Sequence, residues 1–312
     1  MSLLNRKRTI LSKIETAYGT DSVPTGAANA ILVKNINVTP METQLVSRDL
    51  IRPYMGNSQN LAASVYGKLE LEVELAGSGT AGTAPAFGPL LRACGLSETI
   101  SAGTSVIYAP VSASFESVTN YFNLDGVLHK MTGSRGSVSV AFSAQGIPTL
   151  KFSFQGLYSP VVDSPAPTGV VFSAFQLPLI VNNVNTTGLS LQSFSGMVLS
   201  DLSIDLANSL TFRSLVGGTE QVLITDRKPA GSITFEATTV AAKDWWTAAR
   251  NAATGSLTVT HGTVAGNKVT IAAPLAQITQ PTYSDKDGIA MIQASLVLVP
   301  NAGNDELTFT FL

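Results

Sequence analysis

Three glutamates at alternating positions form the most regular charged pattern in the sequence, Lys68-Leu69-Glu70-Leu71-Glu72-Val73-Glu74-Leu75. A two-residue period places the leucines and the valine on one face of a β-strand and the carboxylates on the other. Alternate residues on a strand are about 7 Å apart, twice the rise per residue. The row is therefore either a solvated strand face or a wall that repels phosphate groups.

The remaining reactive residue types do not assemble into a catalytic set. A hydrolase needs a nucleophile, a base and an orienting group, but His129 and His261 lie in strand-like runs about 130 residues apart. Cys94 is the single cysteine, which excludes an intramolecular disulfide and a cysteine-based zinc site. Residues 285–288 resemble half of a calcium loop without its bidentate glutamate, which favours a β-turn. We expect no enzyme activity, no metal and no cofactor.

The charge balance excludes tight nucleic-acid binding. Residues 1–160 carry 12 Lys and Arg against 10 Asp and Glu, and residues 161–312 carry 7 against 11. Neither half has the basic surface of a protein that grips nucleic acid. Charged residues are only 13% of the chain, which indicates surface buried in an assembly. No apolar run has the length of a membrane helix, and the first residues lack a signal-peptide pattern.

The first half is predicted to be antiparallel β with one helix. Residues 1–30 form a polar N-terminal arm in which residues 10–15 could make a helical turn. Strands begin at residue 31, a long inter-strand loop covers residues 44–64, and the alternating strand follows. A Gly-rich connector leads to a short helix at residues 86–95, and further strand-like runs extend to residue 158. Connections as long as 44–64 usually have a function.

The second half repeats this order. An alternating strand at residues 232–237 is again followed by a helix, at 241–252, and three prolines in residues 159–171 mark a linker. The closing strands 150–154 and 307–311 also share a pattern. We predict a mainly β chain of two similar antiparallel sandwich or half-barrel domains, 31–158 and 172–312, each with one flanking α-helix. The alternative is two unrelated β domains.

Three stretches resemble the tail tube, or major tail, proteins of long, flexible-tailed bacteriophages. They are Glu15-Thr-Ala-Tyr-Gly-Thr-Asp21, the segment Arg48-Asp-Leu-Ile-Arg-Pro-Tyr54, and residues 71–95, LEVELAGSGTAGTAPAFGPLLRACG. The local similarity covers about residues 10–100 and continues beyond them only through element order. It carries no catalytic signature.

The resemblance implies a structural virion protein. Its rings would enclose a central β-barrel and stack into a hollow tail tube that conducts DNA from capsid to host. The wall would include Glu70, Glu72, Glu74 and Glu236, and the ring-stacking loop would include Arg48, Asp49, Arg52, Pro53 and Tyr54. Three chains of two domains would replace the usual six subunits, giving a homotrimer with pseudo-sixfold symmetry.

The same resemblance implies partners and a location. The chain would bind itself, the tape measure protein and the tail terminator or distal tail proteins, with transient passage of double-stranded DNA and no membrane contact. It would assemble in the host cytoplasm and reside in the virion tail. The alternative function is a β-sandwich adhesin of the virion surface that binds glycans, with Trp245 or Trp246 as a stacking platform.

Overall fold

A computed structural model describes residues 2–312. Strands contain 51% of the residues and helices 5%, which confirms the mainly antiparallel β prediction. The strands are β1 Arg8–Ile14, β2 Ala30–Ile31, β3 Asn35–Val46, β4 Leu61–Glu74, β5 Leu96–Ser101, β6 Ser105–Pro110, β7 Val118–Leu124, β8 Val127–Ser143, β9 Thr149–Tyr158, β10 Val162–Asp163, β11 Thr186–Leu191, β12 Leu199–Asp205, β13 Asn208–Arg213, β14 Gln221–Arg227, β15 Ala230–Glu236, β16 Thr254–His261, β17 Val269–Lys286, β18 Ile289–Val299 and β19 Thr308–Phe311. The helices are α1 Gly26–Asn29, α2 Gly88–Ala93 and α3 Trp245–Arg250.

An eight-stranded antiparallel sheet runs through both halves of the chain. In the first half the strands lie in the order β3-β4-β9-β8, and in the second half in the order β12-β15-β18-β17. The two groups join edge to edge because residues 139–143 of β8 pair with residues 201–205 of β12. We call this internal junction the seam. The halves are thus one continuous sheet rather than two separate ones.

The strand pairings repeat between the halves. β7 pairs with β8 and β1 in the first half, and β16 pairs with β17 and β11 in the second. The expected match of residues 150–154 with 307–311 is wrong. β9 lies between β4 and β8, whereas β19 joins β17 to β6 of the first half. The strand with the neighbours of β9 is β18, so a shared Leu/Phe alternation did not identify the equivalent strand.

The buried apolar residues form one cluster that spans both halves. Leu71 of β4, Phe152 of β9, Ile204 of β12 and Phe235 of β15 are each at most 2% exposed and belong to it. Since strand residues alternate, one face of the eight-stranded sheet is core and the other is free to be polar. β19 strengthens the connection by carrying the chain end back to β6.

The N-terminal segment contains a strand rather than a helical turn. Residues 8–14 pair along their full length with β7, and Ile10 and Leu11 are buried. Pairing with an existing strand edge therefore overrides the weak helical pattern at residues 10–15, as tertiary context commonly does. Part of the expected arm is consequently built into the first half's sheet.

Each half carries a hairpin beyond its sheet. β3 and β4 continue as a hairpin arm, residues 40–66, whose tip is the loop 47–60. The strands thus extend into the segment expected as a loop at 44–64. In the second half, β13 and β14 form a separate two-stranded sheet between β12 and β15. We call residues 208–227 the second hairpin.

The two helices after the alternating strands are shorter than expected. α2 has Pro89 in its first turn, where a missing N–H costs nothing. It ends before Gly95, whose φ of +76° suits glycine. α3 begins after Asp244, whose side chain accepts a hydrogen bond from the Thr247 N–H at 2.8 Å, an N-cap geometry.

Candidate functional surface

The polar face of the eight-stranded sheet is the candidate functional surface. On β4, Leu69, Leu71 and Val73 are at most 2% exposed, while Glu70 is exposed and Glu72 and Glu74 are half-buried. The predicted division of this strand into an apolar and an acidic face is therefore present.

One row of paired residues crosses all eight strands. Its first-half members are Asn35, Glu72, Lys151 and Ser139, and it continues across the seam through Asp205, Ala230, Val297 and Gln277. With strands about 4.8 Å apart, the row is roughly 34 Å long. Side chains from both halves thus share one surface.

The second half contributes carboxylates that the sequence analysis missed. Asp201 and Asp205 alternate with the buried Leu202 and Ile204 on β12 and share the polar face. The signal was present in the alternation of residues 202–206. Glu236, at the end of β15, alternates with the buried Phe235 and is half-buried. The face includes the carboxylates of Glu70, Glu72, Glu74, Asp201, Asp205 and Glu236, together with the cations of Lys68, Lys151 and, beside Asp201, Lys286.

Hydrogen bonds hold several of these charges in place. The carboxylate of Asp201 accepts from Ser200 Oγ at 2.5 Å and from Ser143 Oγ at 2.7 Å. These bonds, led by that from Ser200, lower the pKa of Asp201 below its ordinary value despite partial burial. Lys68 Nζ lies 3.1 Å from Glu42 Oε1, and that hydrogen bond raises the pKa of Lys68. These hydrogen bonds therefore favour the charged forms of Asp201 and Lys68.

The five predicted loop residues lie at the tip of the hairpin arm, apart from the glutamate row. All five are exposed, namely Arg48, Asp49, Arg52, Pro53 and Tyr54. Apolar side chains accompany them, since Ile51 and Met55 are fully exposed and Leu45 and Val46 are more than half exposed. Exposed apolar side chains at this density indicate a contact surface.

A family model described as phage tail tube protein matches residues 5–311. The chain belongs to the phage tail tube family. The match confirms the resemblance found in the sequence and extends it from about residues 10–100 to nearly the whole chain. The comparison with curated proteins finds no match. As a member of this family the chain is a structural component of the virion tail that assembles with copies of itself.

The first family-like stretch, residues 15–21, anchors the N-terminal segment to the first half. The carboxylate of Glu15 accepts bonds from Ser117 Oγ, Thr119 Oγ1 and the N–H groups of Gly19 and Gly133, all within 2.9 Å. Asp21 accepts from Lys130 and Tyr121. Burial opposes its ionisation, but these bonds outweigh it and lower its pKa. In this tail tube chain the stretch is thus structural.

The histidines and tryptophans have packing roles. His261 is 3% exposed, with Nδ1 2.9 Å from Thr186 Oγ1 and Nε2 3.1 Å from the Leu179 carbonyl oxygen. Burial lowers its pKa and that of His129. Trp245 is 1% exposed and donates to Thr238 Oγ1, so it cannot stack on a glycan. Trp246 is half-buried against the Tyr283 ring, 5.0 Å away.

Among residues 2–312, no group of three or more His, Cys, Asp or Glu side chains is placed to hold a metal ion. Within the same residues, no helix combines the length and the apolar character needed to cross a bilayer.

Proposed function

We propose that three copies of this chain close into a ring, that rings stack into the hollow tube of a long, flexible phage tail, and that DNA passes through it. The observation that carries the proposal is the seam. Two repeated strand groups are already joined edge to edge within one chain, so the same junction can join one chain to the next. Heterologous contacts of this kind generate a ring when the rotation closes.

Two strand edges are available to make that junction. Among the described residues, β3 pairs only with β4, so the outer edge of residues 35–39 is free. On one side, β17 pairs with β16 along residues 269–277 and leaves residues 280–286 unpaired in the described part of the chain. β8 has the same arrangement, except that the stretch after its pairing with β7 is paired with β12. Pro281 lies within residues 280–286 at the bulge between Thr279 and Thr282, where β17 and β18 change register and a proline is tolerated. Unpaired edges of this length promote association.

The ring would present the polar face inward. Three chains give 24 strands, and a spacing of about 4.8 Å gives a wall about 37 Å across between backbones, which strand tilt widens. The carboxylates from both halves would then repel DNA phosphates and keep the duplex from sticking. In the second half Glu236 is flanked by Thr234 and Thr238 rather than by further glutamates, which by itself would make the charge of the wall alternate. Asp201 and Asp205 supply carboxylates there, so the wall would be acidic in both halves.

The partners follow from this role. The tube would contact the tape measure protein within it and the tail terminator and distal tail proteins at its ends, and assembly would take place in the host cytoplasm. The arm tip at residues 48–54 would contribute to contacts between rings. The adhesin alternative loses one of its two candidate platforms because Trp245 is buried, and the other, Trp246, is half-buried against Tyr283.

Proline substitutions on the open edge of β17 test the junction. Neighbouring residues of a strand direct their N–H groups to opposite sides, so one of Ser284→Pro and Asp285→Pro removes a donor from the free edge and the other removes a donor that faces β18. We expect the first type of variant to fold normally, but phage that carry it should produce tailless particles. The second type should lose stability, measured by thermal unfolding, and serves as the matched control. Normal tails with both variants would overturn the proposed junction.

A further inference from the structure

The second hairpin lies across the first half of its own chain. Arg135 of β8 donates to the carbonyl oxygen of Val222 at 2.9 Å, and Tyr18 Oη accepts from the Val222 N–H. Phe212 stacks on Tyr66 of β4 with ring centroids 4.9 Å apart. A hairpin that leaves β12 at the seam therefore crosses β8 and reaches over to β4.

The hairpin arm, residues 40–66, leaves β3 in the same way. Its base contacts the second hairpin through Tyr66, but within residues 2–312 the outer part, 44–64, forms no hydrogen bond, ion pair or ring stack outside the arm. It is exposed along most of its length, and its apolar residues include Leu45, Val46, Ile51 and Met55. In the ring, the group of strands next to β3 would be the second half of another copy. The arm would therefore have the same position relative to that copy as the second hairpin has relative to the first half.

The repeat also identifies the receiving surface. In the first half the second hairpin lies over a row formed by Lys68, Gln155 and Arg135 on β4, β9 and β8. The row formed on β15, β18 and β17 is Ala230, Val297 and Gln277. Val297 is 40% exposed on an otherwise polar face. Replacing two cations by alanine and glutamine makes this row the more apolar of the two, which matches the apolar arm.

We propose that the hairpin arm of each chain lies across β17 and β18 of the adjacent chain in the same ring. This clasp rests on the proposed ring and extends it, because it assigns the arm a lateral partner within the ring in addition to any contact between rings. Each chain would then be held at two places, the strand junction and the arm.

Photocrosslinking tests the clasp. Leu45 is the arm residue that corresponds to Phe212 of the second hairpin, because it lies six residues beyond Thr39 as Phe212 lies seven residues beyond Asp205. The photocrosslinker p-benzoylphenylalanine replaces each of the two residues in turn. At Phe212 the probe should crosslink within the chain to the region of Tyr66 and acts as the positive control. At Leu45 we expect a crosslinked dimer in assembled tails, with peptides from the start of β15 or from residues 275–299 of a second chain. Adding Val297→Glu should abolish that dimer.

The outcomes separate the clasp from the ring. Crosslinks from Leu45 to the N-terminal segment or first half of another chain, in tails with three chains per ring, would overturn the clasp and leave the ring intact. Tails with another number of chains per ring would contradict the proposed ring itself. Crosslinks from Leu45 confined to its own chain would also overturn the clasp.

Discussion

At the residue scale, the carboxylates of the polar face carry the functional hypothesis. Changing Glu70, Glu72 and Glu74 together to lysine should leave tubes intact, because these side chains lie on the face opposite the core, but slow DNA ejection severalfold. Lysines would bind phosphates that the glutamates repel. The measurement is the rate of DNA release from variant virions, and higher salt should reduce the difference by screening.

The matched control is the triple change to glutamine, which removes repulsion without adding attraction. It should slow ejection less than the lysine variant. Normal ejection from lysine virions would show that these carboxylates do not face the DNA.

The adjacent tryptophans predict contrasting stabilities. Trp245→Ala removes a ring that packs against Phe235 and Phe194 at 5.1 and 5.6 Å, so we expect a loss of about 3–5 kcal/mol in the free energy of unfolding. Trp246→Ala removes a half-buried ring and should cost about 1 kcal/mol. Urea denaturation of both purified variants measures the difference, and equal losses would contradict the packing described.

Residue roles were only partly predictable from the sequence. Strict alternation was enough to identify the acidic face of β4. The contribution of Asp201 and Asp205 depends on the seam, which pairs residues about 60 positions apart. No local pattern specifies that distance.

At the element scale, the second hairpin depends on one arginine. The Arg135 guanidinium donates to the carbonyl oxygens of Phe115, Glu116 and Val222, and it lies over the Tyr18 ring at 4.6 Å. Arg135→Met should therefore lower the free energy of unfolding by about 2 kcal/mol and loosen the hairpin. Hydrogen exchange should rise in residues 208–227 while the strands of the core stay protected.

A surface cation provides the comparison for that experiment. Lys228 is exposed and pairs with Asp226 at 3.1 Å, so Lys228→Met should change stability by less than about 0.5 kcal/mol. Unchanged exchange in the second hairpin of the Arg135 variant would show that other contacts fix it.

Elements differed in how well their sequences predicted them. The alternating strands and both helices after them were found because their periods are regular, whereas helix ends shifted by two to four residues. Residues 8–14 carry only two consecutive buried apolar residues, Ile10 and Leu11, and form a strand because β7 offers a free edge. The sequence of the hairpin arm indicates a loop because Pro53, Gly56 and Asn57 dominate its tip.

At the scale of the whole molecule, the repeat and the seam together determine the architecture. Element order alone indicated a duplication, but it could not show that the two copies share one sheet and one core. The core is continuous because β8 pairs with β12 and β19 returns to β6, both long-range pairings. The proposed ring applies the same long-range pairing between chains.

The most direct test is the symmetry of the tail tube in end-on and helical electron microscopy of purified tails. We predict three chains in each ring, a mass of three times 32.6 kDa or about 98 kDa, and an inner wall in which residues 35–39 of one chain pair with residues 280–286 of the next. Six chains in each ring, or β3 and β17 edges that remain unpaired, would contradict the proposed ring.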